Sequence, residues 1–284
     1  MFMNLSPGAI GIRATLDEAI DLAKATGFQG IDLNIREVAE LVEKTSIDHV
    51  TSLFKEAGVR PGGWGLPVNW RGDEGTYQAD LQALPGLAEV GAKIGCTQVP
   101  TWVLSFSDEL PFRENFEWHV KRFRPVAQIL KDHGCRLGLE FLGPKTIRNG
   151  HRYEFIHTVW GMLDLCSTIG TGNVGLLLDA WHWYTSHGTI QLLRNLRAEN
   201  VVYVHINDAP RGIPVDEQID NVRELSGATG VIDLVGFLTS LQKIGYDGPV
   251  TPEPFNKRVN EMEASEAARV TYEALAGVWR AAEL

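Results

Sequence analysis

Four apolar runs in the second half of the chain each end in a side chain able to hold a metal ion: RLGLEF in Glu140, VGLLLDAWH in Asp179, VVYVHIND in His205 and GPVTPEPF in Glu253. A run rich in leucine and valine reads as a strand buried on both faces, so a carboxylate or imidazole at its end needs a partner to offset desolvation. Three carboxylates and one imidazole become one another's partners through a divalent cation that prefers oxygen with some nitrogen, Mn2+ first among Mn2+, Mg2+, Co2+ and Zn2+. No thiolate joins the set, which disfavours a structural zinc site. Taken singly, each residue reads more readily as a helix N-cap or an ion-pair partner; four in register point to a metal.

Neighbouring residues extend the constellation. His182 follows Asp179 by three positions, where it can reach a substrate hydroxyl; Trp181, Trp183 and Tyr184 around it allow an aromatic patch instead. Asp208 follows His205 and either orients that imidazole or caps the next turn. Arg211 opens the stretch PRGIPVDEQIDNVRELSGATG (210–230), a candidate lid, and reads as a contact to a substrate oxygen or as an exposed loop arginine. Trp64, Trp70, Trp102, Trp181 and Trp183 all fall near the ends of apolar runs, where they can stack on sugar C–H faces or simply pack.

Such residues converge only if the elements place them on one face. Short apolar runs alternate with helical patterns along the whole chain, beginning with AIGIR (9–13), then 30–35, 60–67, 97–103 and the four runs above. Thr15 and Glu18 have capping-box spacing before an apolar helical face of Leu16, Ala19, Ile20 and Ala23. Eight strand–helix repeats predict an α/β fold, a single (β/α)8 TIM barrel over residues 1–284, whose strand C-termini share one face; such barrels occupy about 250 residues. A doubly wound open sheet is the fallback, weakened because no GxGxxG turn follows the first run.

Composition narrows the function classes. The 284 residues are 44% hydrophobic and 22% charged, with a formal charge of -10, which disfavours nucleic acid as a partner. No leader pattern opens the sequence and no apolar run reaches about 18 residues, so a cytoplasmic protein without membrane partners is expected. Cys96, Cys135 and Cys166 are far apart and lack CxxC spacing, as core thiols would.

The combination LEFLGP, GLLLDAWH, VHINDAPR and PVTPEPF resembles the sugar phosphate isomerase/epimerase group, the xylose-isomerase-like barrels. That resemblance implies a metal held by Glu140, Asp179, His205 and Glu253, with His182 and Arg211 on the substrate's oxygens. It implies that Glu140 and Glu253 act as an acid/base pair, removing a proton beside a carbonyl through a metal-stabilised enediolate, on a small carbohydrate, sugar phosphate or keto-acid. A homodimer or homotetramer is the expected assembly. The sequence departs from the epimerases where FLGPKTIR replaces a further acidic residue, so Lys145 and Arg148 are either surface cations or contacts to an anionic substrate, and Lys145 and Trp102 join the candidate substrate-binding residues. Pro252 and Pro254 stiffen the backbone presenting Glu253.

Three other functions compete. A DNA-repair endonuclease on this fold needs histidines that RPGGWGLP and TQVPTWV lack, and an Asp-x-His pair that DEQIDNVREL lacks. A lyase, either a dehydratase or a deglycosylase of oxidised glycosides, uses the same proton abstraction. A non-catalytic sugar-binding barrel would keep the fold without needing the metal.

Overall fold

Eight short strands, most of them largely buried, curl into one parallel sheet in the computed structural model, which describes residues 1–284. They are β1 (Phe2–Leu5), β2 (Gly30–Leu33), β3 (Arg60–Trp64), β4 (Gln98–Val103), β5 (Arg136–Phe141), β6 (Val174–Asp179), β7 (Val201–Ile206) and β8 (Pro249–Pro252). The hydrogen-bonded order is β3-β2-β1-β8-β7-β6-β5-β4. Its two ends, β3 and β4, share no paired register; the Leu66 N–H donates to the Pro100 carbonyl at 3.0 Å across that seam. Helices connect the strands and cover the outside, giving the expected TIM barrel.

Local chemistry sets the helix starts. Thr15 and Glu18 form the capping box before Leu16–Thr26, and Ser46, Asp73, Thr158 and Asp233 each accept a backbone N–H at the head of their helices. Between β2 and β3 the chain forms two helices, Ile35–Lys44 and Ile47–Ala57, divided where Ser46 starts a second cap. One continuous apolar cluster extends from Met3 to Ala282 and contains Cys96, Cys135 and Cys166, all buried and free. Burial pushes the Cys135 and Cys166 thiols up to about 11 and about 12, which keeps them protonated.

The first strand is a correction. Sequence alternation places it at residues 9–13, but Phe2–Leu5 is the strand, buried between β2 and β8. Pro7–Ile10 is a 3-10 turn that Gly11 ends at φ 77, a conformation a ladder does not accommodate.

Inside the barrel, below its C-terminal mouth, four strands contribute a polar plug. The Asn4 amide donates to Asp32 at 2.8 Å and Thr251 at 2.9 Å, and the Tyr203 hydroxyl donates to Asp32 at 2.6 Å. A side chain at Gly62 would collide with Asn4, which explains glycine in RPGGW. Burial pushes the Asp32 carboxyl up, and the Tyr203 and Asn4 hydrogen bonds pull it partly back. Tyr203→Phe is therefore expected to cost about 1–3 kcal/mol of stability by removing a donor from a carboxylate already short of water. Urea denaturation checks this, and an unchanged midpoint would show the hydroxyl to be dispensable.

Candidate metal centre

Each of the last four barrel strands delivers one acidic or imidazole side chain to the mouth. Glu140 lies next to the end of β5, Asp179 and His205 at or near the ends of β6 and β7, and Glu253 immediately after β8. One potential ligand atom from each lies within 4.8 Å of those of the other three. Asp179 is fully buried, Glu140 is 6% exposed, and His205 and Glu253 are mostly covered.

Three crowded carboxylates require positive charge, and the chain supplies two cations. His205 directs Nδ1 between Glu140 Oε1 at 3.2 Å and Glu253 Oε2 at 3.3 Å. Burial opposes its charge, but the two glutamates overcome that penalty and hold the imidazole well above its ordinary range. Arg223 is the second: its Nη1 donates to Asp179 Oδ2 at 2.8 Å and Glu253 Oε2 at 3.1 Å, and its Nη2 to Asp220 Oδ1 at 2.9 Å. Its guanidinium lies 4.6 Å from the Phe255 ring centroid and 5.3 Å from that of Trp181. The two glutamates diverge as a result. Burial raises Glu140 and, although it acts the same way on Glu253, His205 and then Arg223 drive Glu253 below the usual carboxylate range.

His182 is 1% exposed and its Nδ1 accepts the Gly143 N–H at 3.1 Å. Burial, helped by the Arg223 charge, outweighs Asp179 and lowers its pKa to about 3. The ring is neutral and lines the cavity, with its Nε2 3.3 Å from the Arg223 Nη2. A side chain at Gly143 would collide with the His182 carbonyl and the Thr185 hydroxyl, so glycine permits this close approach.

The stretch 210–230 is ordered by Asp208, whose position the sequence left open between orienting His205 and capping a turn. Its carboxylate accepts backbone N–H groups from Ala209, Thr229, Gly230 and Ile232 at 2.7–3.0 Å, clamping both ends of the loop. An isolated bridge between Asp208 and Glu224 reinforces the clamp. Instead of a structureless lid, the loop carries a short 3-10 turn, Val215–Glu217, and inserts Arg223, itself 2% exposed, against the carboxylates.

The remaining expected substrate contacts are placed differently. Trp102, 39% exposed, lines the central cavity of ≈440 Å3 together with Glu140, His182, Asp220, Arg223 and Glu253. Arg211 does not line that cavity; it is exposed and donates to the Thr229 carbonyl. Lys145 does not line it either and pairs with Asp216 of the loop at 3.0 Å, while Arg148 donates to the Gly143 and Pro144 carbonyls. The sequence reading missed Arg223; its i,i+3 spacing from Asp220 was the available signal. It also missed Phe255, whose φ of 38 is strained for a bulky residue and fixes the backbone just beyond Glu253.

Arg223→Gln should destabilise the metal-free protein by about 3–5 kcal/mol, because it leaves two buried carboxylates short of a cation. Mn2+ should then raise the melting temperature more in the variant than in the native protein. Equal metal-induced shifts would show that Arg223 and the cation answer different charges.

Comparisons with known proteins follow the same lines. Residues 20–275 match the family described as "Xylose isomerase-like TIM barrel". An inosose isomerase of Halalkalibacterium halodurans is 22% identical over 258 residues, covering 90% of this chain and 88% of that protein. A xylose isomerase domain protein of Alicyclobacillus acidocaldarius superposes with a TM-score of 0.88 at 31% identity, over 100% of both chains. The IOLI protein, crystallised with a binding zinc atom, superposes with a TM-score of 0.79 at 21% identity, over 98% of each chain.

Proposed function

Because the chain belongs to the xylose isomerase-like TIM-barrel family, we propose that it is a divalent-metal-dependent isomerase or epimerase acting on a small sugar or related hydroxy-ketone. The observation that carries this reading is the convergence of Glu140, Asp179, His205 and Glu253, with ligand atoms within 4.8 Å of one another. These residues fit a cation: three carboxylates are buried together, and a protonated His205 and Arg223 provide the charge that a divalent ion would otherwise bring. Glu140, Asp179, His205 and Glu253 would hold the ion. Mn2+ is our first choice, and the zinc in the IOLI structure supports a first-row metal more generally.

When bound, the cation would polarise a substrate carbonyl and favour loss of the neighbouring proton. Glu140 and Glu253 are the carboxylates placed to move that proton, one removing it and the other returning one to the opposite face of the carbon. His182, its Nε2 3.3 Å from Arg223 Nη2, contacts a substrate oxygen from the cavity wall, and Trp102 offers an indole face. Arg223 keeps Glu253 ionised and is itself within reach of the cavity. Since Glu140, Glu253 and Asp220 line that cavity and His205 and Arg223 already spend their charge on carboxylates, an uncharged polyhydroxy-ketone suits it better than a phosphorylated one. The placement of Lys145 on Asp216 agrees with this. No helix is long and apolar enough to cross a membrane.

The test follows candidate ketoses with Mn2+-loaded protein in D2O by NMR. Deuterium should enter at carbon without loss of mass, and Glu140→Gln and Glu253→Gln should each slow exchange by about 10²-fold or more. Full exchange in both variants would overturn the acid/base assignment, while release of water or an aglycone would make the enzyme a lyase. Metal analysis after reconstitution should find about one divalent ion per chain. Finding none would leave a non-catalytic sugar-binding barrel.

A further inference from the structure

Beside the metal centre lies a second cavity of ≈370 Å3, within the range of about 300–1,000 Å3 usual for small-molecule sites. Its walls come from the turn after β3 (Trp70, Arg71), the segment after β4 (Leu104–Leu110) and the first turns of the helix Phe112–Asp132. Leu104 lines both cavities, and the Arg71 guanidinium of the second lies 4.0 Å from the ring centroid of Trp102 in the first. The two are therefore neighbours separated by one leucine side chain and an Arg–Trp stack.

The lining combines aromatic faces with unused hydrogen-bonding capacity. Trp70 and Trp118 lie 5.8 Å apart, centroid to centroid, at 55°, and Phe106 adds a third ring. Two polar residues that are almost entirely buried line the same cavity, Asn115 at 5% and His119 at 3% exposed. The His119 Nδ1–H donates to the Asn115 main-chain carbonyl at 2.7 Å, which leaves Nε2 as a lone-pair acceptor. Burial lowers the His119 pKa to about 4, so the ring is neutral. Neither Nε2 nor the Asn115 carboxamide has a partner within the chain, and neither belongs to the polar atoms sealed in without one, such as Ser105 Oγ and Trp181 Nε1. Both therefore open onto the cavity they line. Polar groups that reach an aromatic-walled cavity with no partner in the chain are available to a ligand that displaces water from them.

We propose that this cavity is a second substrate subsite, which takes a hydroxylated ring joined to the part of the substrate held at the metal centre. The ring packs on the half-buried Trp118 and Phe106, a hydroxyl donates to His119 Nε2, and the Asn115 carboxamide bridges a second oxygen. A sugar ring and a phenol both present this chemistry. The substrate is then a two-ring compound, in glycosidic or similar linkage, and this deepens the proposed function by resting on the first ring lying over Glu140 and Glu253.

The probes are fructose against isomaltulose, which adds a glucosyl ring to the same ketose, and methyl against phenyl β-D-glucoside, which adds an aromatic ring. Affinities for the Mn2+-loaded protein are measured by calorimetry, and contact is read by saturation-transfer NMR. At least one two-ring probe should bind about tenfold or more tightly than its one-ring counterpart, the identity of that probe telling sugar from aromatic ring. Asn115→Leu and His119→Phe, checked for folding by circular dichroism, should each remove most of that gain while leaving one-ring binding intact. Equal affinities of one-ring and two-ring probes for the native protein would overturn the subsite, whether or not either variant folds, and so would a gain that survives in folded Asn115→Leu. Deuterium exchange into fructose alongside equal affinities would spare the proposed function and sink the subsite; a two-ring gain without exchange into any ketose would do the reverse.

Discussion

Three carboxylates cannot be buried at one barrel mouth without positive charge among them, and much of the C-terminal face is arranged around that requirement. The Coulomb repulsion of Glu140, Asp179 and Glu253 rises steeply as water is excluded. His205 answers it from the neighbouring strand by keeping its proton between two glutamates. Arg223 answers it from a loop eighteen residues further on, and that second answer is structurally expensive: the chain after β7 must leave the barrel, turn and come back.

The return of the loop explains features that otherwise seem unrelated. Asp208 spends its whole carboxylate on four backbone N–H groups because the loop has no ladder or helix to satisfy them. Asp220 fixes the guanidinium from its own backbone turn, and Phe255 accepts an unfavourable φ while facing the same group. Lys145, Asp216 and His187 tie the outer part of the loop to the adjacent segments. On the other side, Gly143 lets the segments leaving β5 and β6 approach closely enough for its N–H to donate to His182 Nδ1.

Parts of this were legible in the sequence, for a physical reason: an apolar run ending in a charged residue records both a buried strand and the position where burial stops. Glu140, Asp179, His205 and Glu253 could be aligned in this way, and their convergence followed from the strand–helix alternation. Phe2–Leu5 escaped because a four-residue strand shows no period, whereas residues 9–13 imitate one until Pro7 and Gly11 are considered as backbone constraints. Arg223 escaped because loop order comes from tertiary contacts, chiefly with Asp208, which leave no periodic trace. Arg211 and Lys145 looked equally suitable by charge, yet each spends its charge within the loop framework.

The seam between β3 and β4 divides the barrel's circumference into two mechanical regimes. The strands that carry Glu140, Asp179, His205 and Glu253 are joined to one another by continuous parallel pairing, so the ligand atoms inherit the stiffness of a stitched wall. The turns leaving β3 and β4 carry Trp70, Arg71 and Leu104 beside a join that lacks such pairing. The turn leaving β4 therefore reaches the reacting centre through one ladder, Trp102 being paired with Glu140, whereas the turn leaving β3 is tied to it only around the far arc through β2, β1 and β8, so a change beside Trp70 has the longer paired path to the ligand atoms.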